Sequence, residues 1–193
     1  MSTVPLRLRI LRAMTDRFAE KLVGTGGFAT DLRYVHPSDE EPRAFDPAND
    51  DPADAKVAVF RGRTIFGDND PETMLSLLEV PIPLDQAPAP GDSEFSNGVW
   101  ELMLQGFTPD DHENPTDPAH YFMADVKKVL AQEKKKAYAD EPEDGIFGLG
   151  NFITGLRIGA GVVRPPDEIS AKAYFWLTVE LDLVEDLSDP YED

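Results

Sequence analysis

Apolar residues recur at Leu6, Ile10, Met14, Phe18 and Leu22, with Leu11 beside them. That spacing puts one apolar stripe along a helix near the N-terminus. Pro5 fits its first turn, and Gly24, Gly26 and Gly27 stop it. A short strand is expected near residues 28–35 and another at residues 56–60. The apolar run over residues 74–82 reads as a buried strand, although residues 72–79 would also suit a helix, and periodicity does not separate the two. From Gly98 to Thr108 the pattern alternates, with Trp100, Leu102 and Leu104 on one face and Glu101, Met103 and Gln105 on the other. Asp117-Pro118 opens a second helix, Asp as cap and Pro as first helical residue, and Phe122, Val126, Val129 and Leu130 carry it to about Lys136.

The C-terminal third has the clearest strand pattern. Leu156, Ile158, Ala160 and Val162 alternate with smaller or polar residues, and residues 164–167 turn the chain. Phe175, Leu177, Val179, Leu181 and Leu183 then alternate with Tyr174, Trp176, Thr178, Glu180 and Asp182. These two strands are expected to pair as a hairpin, with a loose acidic tail over residues 185–193. Strands are grouped instead of alternating with helices. The expected class is therefore α+β: a single mainly antiparallel sheet, two flanking helices and long acidic loops. The expected organisation is one domain over residues 1–193, with loop excursions at about 36–55, 84–97 and 109–116. These segments are rich in Asp, Glu and Pro and lack apolar periodicity.

Composition narrows the function. The formal net charge is -19 and the pI about 4.4, so the surface repels phosphate backbones and anionic lipids. A nucleic-acid reader built on a basic patch is disfavoured. With no cysteine in the chain, disulfides, thiolate metal sites and cysteine nucleophiles are excluded. Arg7 and Arg9 interrupt the N-terminal apolar run, which does not fit a signal peptide, and no stretch reads as a membrane-spanning helix. A soluble protein made in the cytoplasm is the expectation.

Candidate chemistry is sparse. Asp68, Asp70, Glu72, Ser76 and Glu79 fall near calcium-loop ligand positions, but Thr73 stands where that loop needs glycine, Pro71 intrudes and no helix precedes it. His36, His112 and His120 form no metal-binding pair. Asp110, Asp111, His112 and Glu113 read as a solvated loop. The glycines at 24, 26 and 27 follow a helix, and those at 148, 150 and 155 lack dinucleotide-binding spacing. With 37 Asp and Glu, no catalytic carboxylate pair stands out. Neither a catalytic residue nor a resident metal or cofactor is expected. Lys127, Lys128, Lys134, Lys135 and Lys136 form either a solvated helix face or a contact for the acidic surface of a neighbouring subunit. Arg61 and Arg63 flank Gly62 as a second basic spot.

Residues 60–79, FRGRTIFGDNDPETMLSLLE, and residues 169–179, ISAKAYFWLTV, together with the opening amphipathic helix, resemble tail-terminator (tail-completion) proteins of long-tailed bacteriophages. The order of elements is similar across most of the chain. The resemblance implies a structural virion protein and not an enzyme: a subunit of a hexameric ring at the head–tail junction. The ring would cap the head-proximal end of the tail tube, end tail growth and join the tail to the neck. Implied partners are copies of the chain, the tail tube protein and the neck or head–tail connector proteins. DNA would pass through the lumen without sequence-specific binding, helped by acidic walls, and no membrane is involved. A head–tail connector or stopper subunit is the close alternative. A small metal-dependent hydrolase using Asp68 and Asp70 is the alternative of a different class.

Overall fold

The computed structural model describes residues 3–20, 32–34, 56–66, 70–80, 95–136 and 145–191. Helix α1 spans Leu6–Ala19 and α2 spans Asp117–Lys136. The strands are β1 (Arg33–Tyr34), β2 (Lys56–Val57), β3 (Val59–Arg61), β4 (Met74–Glu79), β5 (Phe95–Thr108), β6 (Ile153–Arg164) and β7 (Ala173–Asp186), with a 3-10 turn at Ile146–Gly148. β1 and β2 form a small antiparallel ladder, and the other five strands form one sheet in the order β3-β4-β5-β7-β6. Only β3 and β4 run parallel; the remaining pairs are antiparallel. The fold is α+β.

Both helices cover the same side of the sheet. Leu6, Ile10, Met14 and Phe18 of α1 and Phe122, Val126, Val129 and Leu130 of α2 join one core. Leu75 and Leu77 of β4, Trp100, Leu102 and Leu104 of β5, Ile153 and Leu156 of β6 and Phe175 to Leu183 at every second residue of β7 belong to it too. The registers explain why. Leu104 pairs with Leu177, Leu102 with Val179 and Trp100 with Leu181, and directly opposed residues in an antiparallel pair share a face. Each fully buried Leu or Phe contributes about 1.5–3 kcal/mol. A second, smaller cluster of Ala58, Met74, Phe107 and Tyr174 lies on the opposite face, with Phe60, Phe66 and Trp176 packed against it.

Residues 74–79 are the buried strand that the apolar run suggested and not the alternative helix; all but Glu79 are buried, because helices cover one face of β4 and the Phe66 segment the other. Other expectations change in three dimensions. The single strand expected at 56–60 divides at Ala58 into β2 and β3, which belong to different ladders. Phe95, Ser96 and Asn97, expected in a loop, belong to β5 and pair with Asp186, Glu185 and Val184. The expected loops at 36–55 and 84–94 lie outside the described residues. Thr116 accepts the first helical hydrogen bond, from His120, so Asp117 rather than Pro118 is the first residue of α2.

Strand β6 also departs from strict alternation. Ile158 is opposite Val179 and Gly161 opposite Leu177, so one extra residue bulges between them. Leu156 and Ile158 lie on the helix side, but beyond the bulge Gly161 and Val163 take that side and Val162 turns outward, 49% exposed. The acidic tail is not loose over its described part. Glu185 accepts from Arg7 at 3.2 Å, and the Pro190 carbonyl accepts from the Leu6 amide at 3.1 Å. That carbonyl satisfies a donor in the first turn of α1, where no residue of the helix can.

Candidate interaction surface

The side of the sheet away from the helices has two parts. Toward β3 and β4 it is closed by the segment after β3. Arg63 lies over the rings of Phe60 and Phe66, at 4.6 and 5.2 Å from their centroids, and pairs with Asp70. The buried Ser76 hydroxyl donates to the Arg63 carbonyl at 2.6 Å. An aromatic row follows across the sheet, Phe66 to Phe107 to Tyr174 to Trp176, with centroid separations of 4.9, 5.9 and 5.4 Å. It ends at Val162, which pairs with Trp176 on the outermost strand.

Farther along β5, β7 and β6 the same side is polar and acidic. Glu101 lies directly opposite Glu180, and Asp182 is two residues beyond on β7. Arg157 of β6 forks between the two β7 carboxylates, donating to Glu180 at 2.7 Å and to Asp182 at 2.8 Å. Those hydrogen bonds raise the Arg157 pKa above its ordinary value. One guanidinium thus serves two of three neighbouring carboxylates. Like charges directly across a strand pair oppose folding, so the Glu101–Glu180 opposition works against the Arg157 pairs.

The Gly155 and Gly159 positions let β6 approach this surface. A β-carbon at Gly155 would overlap the Asp182 carboxylate, and one at Gly159 the Thr178 hydroxyl. The β6–β7 turn is held by Asp167. Its carboxylate accepts from the Tyr174 hydroxyl at 2.7 Å and the Ile169 amide at 2.8 Å, bonds that hold its pKa below the ordinary carboxylate value. Lys172 extends from the same turn and donates to the carbonyls of Pro71 and Glu72. Burial lowers its pKa.

Two of the candidate calcium ligands are otherwise engaged, and the chain path does not suit the rest. Asp70 holds Arg63, Ser76 is buried in β4, and Glu79 sits at the end of that strand. A strand there precludes the second half of a calcium loop; Asp68 lies outside the described residues. Asp111 accepts from the amides of Glu113 and Asn114, which closes its own turn. That turn borders a shallow, open cleft of about 460 Å³ beside Thr108, Asp117 and Tyr121. Among the described residues no group of three His, Asp or Glu could hold a metal ion, and no helix is long and apolar enough to cross a membrane.

One functional-looking group escaped sequence reading. Glu133 of α2 is only 3% exposed. It receives Arg17 of α1 at 3.0 Å, Lys136 at 2.9 Å and the Phe147 amide at 2.9 Å. Phe147 has φ 55°, a left-handed conformation rare outside glycine. The carboxylate therefore clamps both helices and the 3-10 turn, and its role is structural. Its signal was available: Val126, Leu130 and Glu133 share the buried helical stripe. No protein-family model matches the chain, and no curated protein matches it in sequence.

Proposed function

We propose that this protein is a structural, non-catalytic subunit of a bacteriophage tail, the terminator that caps the head-proximal end of the tail tube and joins it to the neck. The observation that carries this reading is the one-sided covering of the sheet. Two helices close one face, while β5, β7 and β6 present an acidic and partly aromatic area on the other. Such a subunit is suited to completion by its neighbours in an assembly. Of the segments that carry the resemblance, residues 60–61 belong to β3, residues 74–79 form β4, and residues 169–179 run from the β6–β7 turn into β7. Their strand residues lie in the sheet that organises the subunit.

The proposed action is assembly. Copies gather on the tube end, close into a hexameric ring and block addition of further tube subunits. The net charge of -19 favours an acidic passage from which DNA phosphates slide without sticking. The test is to measure the mass of the purified chain in solution, add purified tail tubes and image them by negative stain. A ring, or a cap on one tube end that halts growth, is expected. A monomer that ignores tube ends overturns the reading.

A further inference from the structure

The outer surfaces of the two layers carry matching patterns of opposite sign. On the open sheet face, Glu101, Glu180 and Asp182 form the acidic end. Trp176 and Val162 form an apolar end, four residues from Glu180 along β7, or about 13 Å. On α2, Lys128 and Lys135 are exposed and Tyr121 is 70% exposed. These three are spaced by seven residues, two helical turns, so they share one stripe. Tyr121 and Lys128 stand about 10 Å apart along it. The stripe points away from the sheet, because Phe122, Val126 and Val129 fill the opposite side of the helix.

We propose that α2 of one copy docks on the open sheet face of a second copy. Lys128 and Lys135 meet Glu101, Glu180 and Asp182, and Tyr121 meets Trp176 and Val162. Copies of a chain of net charge -19 repel one another overall, so a contact of opposite charges is favoured. This one sets the densest run of lysines against a carboxylate patch that, among the described residues, one arginine serves. The docked lysines relieve the opposition of Glu101 and Glu180. Acid and aromatic on the sheet match base and aromatic on the helix at comparable spacing, and that match selects a second copy over an arbitrary basic partner. The two patches lie on opposite sides of the subunit, so the contact is head-to-tail. Such contacts close into a ring if the rotation per step returns to the first copy without a rise along the axis, and grow into a helical filament if not. Closure to a ring rests on the terminator reading; the contact itself does not.

The test uses the full chain. A carbodiimide joins a lysine amine to a carboxylate with no spacer, so it records salt-bridged pairs. Mixed light and heavy isotope-labelled copies, treated alone and with tail tubes, are mapped by peptide mass. The expected products join Lys128 or Lys135 of one copy to Glu101, Glu180 or Asp182 of another. Lys128→Glu with Lys135→Glu weakens association at least about tenfold, and adding Glu101→Lys to that variant restores part of it. Circular dichroism checks that each variant folds. If rings form and neither the crosslinks nor the charge reversals bear on them, the contact is overturned while the terminator reading stands. If the crosslinks form but tubes are ignored, the contact stands and the terminator reading fails. If copies never associate, both are overturned.

Discussion

Glu133 shows how one side chain can hold several elements. Its carboxylate is buried, while Arg17 and Lys136 are 29% and 38% exposed, so the cations can rehydrate if it is lost and the Phe147 amide cannot. Glu133→Gln keeps the shape and removes the charge; it is expected to cost about 2 kcal/mol, read as a lower urea midpoint with unchanged slope. Gly106 is constrained differently. It faces the helices between two strands, where a β-carbon would overlap the Phe175 ring and stand 3.0 Å from Phe122 Cε1. The two rings pack edge to face with centroids 5.3 Å apart, so neither can move aside cheaply. Gly106→Ala is expected to cost about 2 kcal/mol in the same measurement, and Phe175→Leu in the same chain to recover part of it.

Among the elements, the β6–β7 hairpin depends on its turn. The Asp167 pKa is lowered first by the Tyr174 hydroxyl, then by the Ile169 amide. A carboxylate with a folded pKa below its unfolded value contributes stability that is fully present above the unfolded pKa. That contribution is lost as pH falls through the folded pKa. Amide exchange at Ile169 and Ser170, corrected for its intrinsic pH dependence, should therefore accelerate below about pH 4, and Asp167→Asn should abolish that step. Helix α1 has a comparable dependence on a distant segment. Its Leu6 amide is satisfied by Pro190, so removal of residues 188–193 should fray the first turn. The expected loss is about 1 kcal/mol, with faster exchange at Leu6.

For the molecule as a whole, charge acts in two opposed ways. Self-repulsion at a net charge of -19 destabilises the compact chain, and salt screens it. The proposed contact between copies is an attraction, which the same salt weakens. Raising NaCl from about 0.02 M to about 0.3 M should raise the urea midpoint of the isolated chain while lowering its association. Movement of both in the same direction would contradict this account.

Helices α1 and α2, strands β5 and β7 and the α+β class could be read from the chain, because apolar periodicity is a property of neighbouring residues. The alternation from Tyr174 to Leu183 assigns each side chain to its face without reference to a partner strand. Other features depend on long-range register. The bulge in β6 sends Val162 outward because Val179 and Leu177 of another strand set the phase. The opposition of Glu101 to Glu180 joins residues nearly eighty positions apart, and no local pattern encodes that. Pro190 reaches Leu6 across almost the whole chain. Local sequence determined what each element is and which side is apolar. Tertiary packing decided which strands meet, in what phase, and therefore which charges share a surface, since pairing energy is decided between segments and not within them.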